Sequence, residues 1–309
     1  MTEELNIGVR FALYANLMLL FGLPLYALYA LKGAERLQTN ILSLRVLTCW
    51  LSASGIALSL LSITAMTASM AGVQLFEVDS ALVSMMIFET PMGNAWSVRV
   101  MALLITFSAA FRMNKDLPKL MLVAFGSAVS LSSLAWTGHG AASEGVTGTA
   151  QLIADIIHLI AAGAWLGALA ALTIILFNGS EASSQDYLKM THRLLKGFSV
   201  AGSIIVALVF GSGLINSWML VGPQNVLTLY TTAYGQLLIA KLFLFGIMLS
   251  LAAANRFALT PAFERALQAG VTSLALTKLR RSLAFELILA TIILGLVAWL
   301  GTLQPPVAT

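Results

Sequence analysis

The sequence predicts an all-α membrane protein, a polytopic bundle of eight transmembrane helices with both termini on the outer side of the bilayer. Composition, the length of the apolar runs and the placement of Lys and Arg carry that prediction. Of 309 residues, 59% are hydrophobic and 10% charged, and the mean hydropathy is +0.91. A soluble domain carries about 25% Asp, Glu, Lys and Arg, so this chain lacks the polar surface to cover itself in water. Soluble, disordered and nucleic-acid-binding classes are excluded on that ground. The single cysteine, Cys49, leaves no disulfide framework and no CxxC redox or metal motif.

A membrane span needs about 20 mainly apolar residues, because the hydrocarbon core is roughly 30 Å thick and a helix rises about 1.5 Å per residue. Eight stretches qualify: 8–31, 46–72, 92–111, 119–137, 151–177, 198–221, 234–254 and 282–303. Helices are predicted rather than strands because each long segment must satisfy its own backbone hydrogen bonds in lipid. Glu3 and Glu4 precede the first run and Arg10 lies inside it, an order unlike a cleavable signal peptide, so that run reads as a permanent span. The connection 255–281 contains AFERALQAG, which predicts an interfacial helix. No repeat, linker or low-complexity tract divides the chain, so residues 1–309 are expected to form one integral membrane domain.

Lys32, Arg36 and Arg45 occupy the first connection; Arg112, Lys115 and Lys119 the third; Lys189, Arg193 and Lys196 the fifth; Arg256, Arg265, Lys278, Arg280 and Arg281 the seventh. The even-numbered connections hold no Lys or Arg. Positive charge is retained on the cytoplasmic side, so the odd connections are expected inside, with both termini outside.

Ionisable groups inside spans are costly to bury and mark functional sites by default. Arg99 falls in the outer third of span 3 and Lys241 in the outer third of span 7. Arg10 lies near the outer end of span 1, where snorkelling to the interface explains it equally well. At the same depth Asp155 and His158 form an i, i+3 pair on one face of span 5, so Asp155 is expected to neutralise Lys241 or Arg99. Glu286, near the inner end of span 8, is read as a structural ion pair with Arg280 and Arg281. Gly163 and Gly167 make a GxxxG in span 5, a spacing that lets helices approach closely.

The outer face collects metal ligands. His139 stands in the Thr137-Gly138-His139-Gly140 loop and His158 follows in span 5; Met66 and Met70 end span 2, and Met85, Met86 and Met92 lie on or beside the next outer loop. Thioether sulfur favours Cu(I), and imidazole accepts copper as Cu(I) or Cu(II). For any single Met, core or lipid contact is the plainer explanation. His192 reads as an interfacial residue or an exit ligand, and Cys49 as a small buried hydrophobe or a lone thiolate. The chain has no GxxxxGK[ST], GxSxG or HExxH, so nothing supports an ATP-driven pump or a hydrolase, and no enzyme is expected.

In TGHG…DIIHLIAAGAWLGAL at 137–169, KGFSVAG at 196–202 and YGQLLIAKLFLFGIMLSLAAANRF at 234–257, the chain resembles the copper resistance protein D family (CopD/PcoD), and the likeness runs over nearly its whole length. The resemblance implies a polytopic inner-membrane protein that works with a small, separate periplasmic copper carrier and moves copper toward the cytoplasm. Carried over by position, its GH element falls on His139, its DxxH element on Asp155 and His158, and its YGxLLxxK element on Lys241. Two other functions fit the residues: a haem-binding electron-transfer protein using His139 and His158, and a non-transporting platform that holds copper for the carrier.

Overall fold

The computed structural model describes residues 2–33, 35, 42–113, 117–138, 145–178 and 185–306. His139, with the rest of its loop, lies outside them. Helix is the regular structure of the described residues, with no strand among them, and eight of their helices are long and apolar enough to cross a membrane.

Helices α1 (Thr2–Ala30) and α6 (Gly145–Asn178) form the centre. Around them α2 (Leu44–Ala71), α4 (Pro91–Phe111) and α5 (Leu117–Ser132) pack on one side, and α7 (Gln185–Val221), α8 (Ala233–Ala254) and α10 (Ser273–Leu300) on the other. α6 is apolar all round and largely buried, as befits a helix with protein on every face. Its GxxxG explains how it reaches the centre. A Cβ placed on Gly22 of α1 would stand 2.6 Å from the Cα of Gly167, and one on Gly163 would stand 2.8 Å from Leu131 and 3.2 Å from Phe21. Only hydrogen side chains let the two backbones meet this closely.

Several polar side chains inside the bundle bridge helices or return to their own backbone. Asn16 Nδ2 of α1 donates to Ser54 Oγ of α2 at 2.6 Å, and Trp96 Nε1 of α4 donates to the Ser59 carbonyl of α2 at 2.7 Å. Thr48, Thr106 and Ser127 each donate to the carbonyl four residues earlier, which lets hydroxyls be buried in spans at little cost.

The connection after α2 differs from the loop the sequence predicts. It folds into a short turn at Leu75–Glu77 and a ten-residue helix, α3 (Ser80–Glu89). Asp79 caps α3 by accepting from the Ala81 N–H, and Thr90 caps α4 by accepting from the Gly93 N–H. At about 15 Å, α3 is too short to cross a bilayer, and none of its residues is buried. In the seventh connection α9 (Thr260–Gln268) buries Phe263 and exposes its charged face, as expected of an interfacial helix. α7 begins thirteen residues before the predicted span, at Gln185, because Lys189, Arg193 and Lys196 continue the helix beyond the membrane. There Arg193 holds Glu35 at 2.5 and 2.6 Å and donates to the carbonyl of Ala30, satisfying the end of α1.

Candidate functional site

A cavity of about 390 Å³ opens between α1, α6, α7, α8 and α10 in the half of the bundle nearest the chain termini. Each helix contributes a stripe. α1 supplies Arg10, Tyr14 and Met18, four residues apart; α6 supplies Asp155, His158, Ala162 and Trp165; α8 supplies Tyr234, Leu238, Lys241, Phe245 and Met248. Spacings of three and four place these side chains on single helix faces. Phe210, Leu214 and Leu242 line the cavity and are also 53%, 56% and 51% exposed. The cavity therefore opens sideways between α7 and α8 through an apolar rim.

His158 is anchored through Nδ1 by a partner on α7. Ser212 Oγ of α7 donates its single proton to the Leu208 carbonyl at 2.5 Å, with the Val209 carbonyl at 3.3 Å. His158 Nδ1 lies 3.0 Å from the same oxygen, and with the hydroxyl proton on the Leu208 carbonyl it is Nδ1 that donates in that bond. In the neutral imidazole the lone pair is then on Nε2, which is the arrangement of a metal-ligating histidine whose other nitrogen is anchored. Three residues away, Asp155 Oδ1 accepts from Asn216 Nδ2 at 2.6 Å, and Asn216 Oδ1 is buried with no partner among the described residues.

Lys241 lies within electrostatic reach of both Asp155 and His158 and makes no ion pair or hydrogen bond among the described residues. Arg10 shares the cavity, and a side chain added at Gly301, just past α10, would run into its guanidinium. With two formally cationic side chains and one carboxylate, the cavity does not attract a metal cation by net charge. Coordination must do that work, and the donors at hand are His158 Nε2 and the thioethers of Met18 and Met248.

The structure thus gathers Asp155, His158 and Lys241 and leaves other expected residues elsewhere. Arg99 is 2% exposed on α4, within reach of Tyr14, but it does not line the cavity. Its Nε and Nη1 have no partner among the described residues. Met66, Met70, Met85, Met86 and Met92 lie at the corner of α2, α3 and α4, away from the cavity; Met70 and Met85 are exposed, and Met86 Sδ stands 3.8 Å from the Thr90 hydroxyl. Among the described residues no three His, Cys, Asp or Glu side chains converge on one point. Glu286 accepts from Asn255 rather than pairing with Arg280, whose Nε donates to the Leu176 carbonyl. His192 stands 3.6 Å from Glu264, and Cys49 packs against Ala109, Ala110 and Val123. Met18, Ser212 and Asn216 are the cavity residues that sequence reasoning missed. Their signal was periodicity, Arg10-Tyr14-Met18 on one helix and Ser212-Asn216 on another.

Residues 1–149 match the family described as Copper resistance protein D-like, N-terminal domain, and residues 192–300 the family described as Copper resistance protein D. The chain is 42% identical over 306 residues to Copper resistance protein D of Pseudomonas syringae pv. tomato, covering 99% of this chain and 98% of that protein. It belongs to the copper resistance protein D family. Another relative is Inner membrane protein YebZ of Escherichia coli, 29% identical, with 97% of this chain and 98% of that protein covered. Copper transport protein CutJ of Bacillus subtilis is 29% identical over 80% of this chain and 45% of its own length. No solved structure matches. Asp155 and His158 of this copper resistance protein D family member fall between the two family matches, in a stretch that the full-length relatives span.

Proposed function

We propose that the protein is a copper-handling protein of the bacterial inner membrane that receives copper at its periplasmic face and passes it toward the cytoplasm. The observation that carries this reading is His158, anchored through Nδ1 to Ser212 Oγ and set beside Asp155 in a cavity that Met18 and Met248 also line. His139 and the methionines at the α2–α3–α4 corner, Met66, Met70, Met85, Met86 and Met92, serve as capture ligands, and Asp155 balances the charge of the bound ion. A separate periplasmic carrier delivers the copper. Family membership and the name of CutJ as a copper transport protein support movement over simple storage.

The orientation that follows places the termini and α3 outside and the basic connections inside. With an inside-negative potential, inward passage of one positive charge is then favourable by about 2.3 kcal/mol per 100 mV, so no nucleotide is needed.

The direct test is copper stoichiometry and affinity in purified protein with His139→Ala and His158→Ala combined. Loss of bound copper is expected, and an unchanged titration would sink the site. An absorption spectrum without a Soret band is expected as well, since a haem protein would show one. Copper uptake into proteoliposomes then separates a transporter from a docking platform, which would fill its outer site without accumulation inside.

A further inference from the structure

A copper ion held by His158, Met18 and Met248 would account for little of the cavity. Its volume of about 390 Å³ falls within the range of small-molecule and cofactor sites, which are mainly apolar with a few placed polar groups. The wall here has that character: Leu159, Leu238, Ile293 and Val297 are among the side chains that form it. Trp165 and Phe245, edge to face with ring centroids 6.0 Å apart, add aromatic surface beside Tyr14 and Tyr234.

The lateral opening faces hydrocarbon. α7 packs on α6 and α9, and α8 on α10, yet these two consecutive spans scarcely touch each other. Phe210, Leu214 and Leu242 stand at the gap. Measured from Val221, where α7 ends, and Ala233, where α8 begins, the three lie about 10–17 Å along the spans at 1.5 Å per residue. That depth belongs to the hydrocarbon core, not to the headgroups. A molecule entering there comes out of the bilayer, and a permanent charge on its leading end would be costly to draw through the apolar rim. Inside, hydrogen-bonding groups of both kinds are unspent. Among the described residues Arg10 Nε is buried without an acceptor and Asn216 Oδ1 without a donor. Lys241, within electrostatic reach of Asp155, makes no hydrogen bond there either. Buried polar groups left in this state are expensive, so a ligand that fills the cavity gains by both accepting and donating.

We infer that the cavity binds the ring of an isoprenoid quinone drawn from the membrane, with the isoprenoid tail leaving between α7 and α8. A quinone is uncharged, so it passes the rim at Phe210, Leu214 and Leu242. Its ring oxygens accept from Lys241 and Arg10 as carbonyls, and in the quinol form a ring hydroxyl donates to Asn216 Oδ1. The flat ring lies against the aromatic side chains of Trp165 and Phe245, and the tail stays in contact with lipid. A phospholipid fits less well, because its charged phosphate would have to cross the same rim to reach Lys241. The inference concerns binding alone and stands independently of the copper reading.

Two measurements test this. The first is the quinone content of protein purified in mild detergent, extracted with organic solvent and separated by chromatography. The wild type is expected to retain quinone, ubiquinone or menaquinone, approaching one per chain. Leu214→Trp, which narrows the rim at an exposed position, should retain at least fivefold less, whereas Leu104→Trp, exposed on α4 away from the cavity, should retain as much as the wild type. Unchanged thermal unfolding shows that both variants are folded. The second is tryptophan fluorescence during titration of quinone-free protein with a short-tailed ubiquinone. Saturable quenching is expected, and Trp165→Phe should remove most of it. Lys241→Met should weaken the binding at least fivefold. Equal quinone content in the wild type and Leu214→Trp, quenching that does not saturate, or stoichiometric phospholipid in place of quinone would overturn the assignment. Copper titration of the same quinone-free protein separates its failure from that of the copper site.

Discussion

Ser212 Oγ lies 2.5 Å from the Leu208 carbonyl oxygen and 3.0 Å from His158 Nδ1, so the hydroxyl anchors the imidazole through Nδ1 and leaves Nε2 as the nitrogen for a metal. Ser212→Ala removes that acceptor and lets the imidazole turn or change tautomer. Groups that orient a metal-bound histidine are typically worth 10–100-fold in metal affinity, and a loss of about that size is expected in a chelator-competition titration. The thioethers give a second prediction. Met→Leu conserves volume and costs under about 1.5 kcal/mol of stability in a core, so Met18→Leu with Met248→Leu should leave thermal unfolding little changed while weakening Cu(I) binding about tenfold or more. Replacing Met70 and Met85, which are exposed and outside the cavity, should affect capture at low copper but not the affinity of the cavity. Equal effects from both sets would show that location in the cavity is immaterial.

At the scale of elements, the α1–α6 crossing holds the two halves of the bundle together. Gly22, Gly163 and Gly167 leave no room for a Cβ, so Gly167→Leu must push α1 away from α6. Overpacking of this kind costs about 1–3 kcal/mol or more, and it should lower the unfolding temperature in detergent and disturb the cavity, since α1 and α6 both line it. Gly246→Ala on α8 is the control. Nothing lies within 4 Å of a Cβ there, and Ala is the better helix former by about 1 kcal/mol, so this change should be neutral or stabilising. The sequence identified the GxxxG as a packing feature but not its partner, because Gly22 sits on a helix more than a hundred residues away.

Across the whole molecule, the described basic connections gather at one end of the bundle and the termini at the other. With Cys49 replaced by Ala, Glu77→Cys should react with a membrane-impermeant maleimide applied to intact spheroplasts, and Lys278→Cys only after lysis. The reverse pattern would invert the orientation and with it the direction of copper movement. The two halves also differ in what they hold. The cavity lies on the α7–α8–α10 side of the central pair, with the methionine corner on the α2–α4–α5 side, so under the proposed function a copper ion captured at that corner would have to cross the outer rim of α1 and α6 to reach His158.

The number of spans, their approximate positions and the alternation of charge were legible in the sequence. Each follows from a local sum, either apolar length against bilayer thickness or positive charge per connection, and position along a span converts directly to depth. Azimuth does not. Arg10, Arg99 and Lys241 are expected at one level, yet Arg10 and Lys241 enter the cavity and Arg99 is turned toward Tyr14. That choice depends on how each helix is rotated against its neighbours, which close packing such as the Gly22–Gly167 contact sets and no single segment encodes. For the same reason the structure alone replaced the expected Glu286–Arg pair with Asn255, a partner that the wide turn at the end of α8 brings within reach.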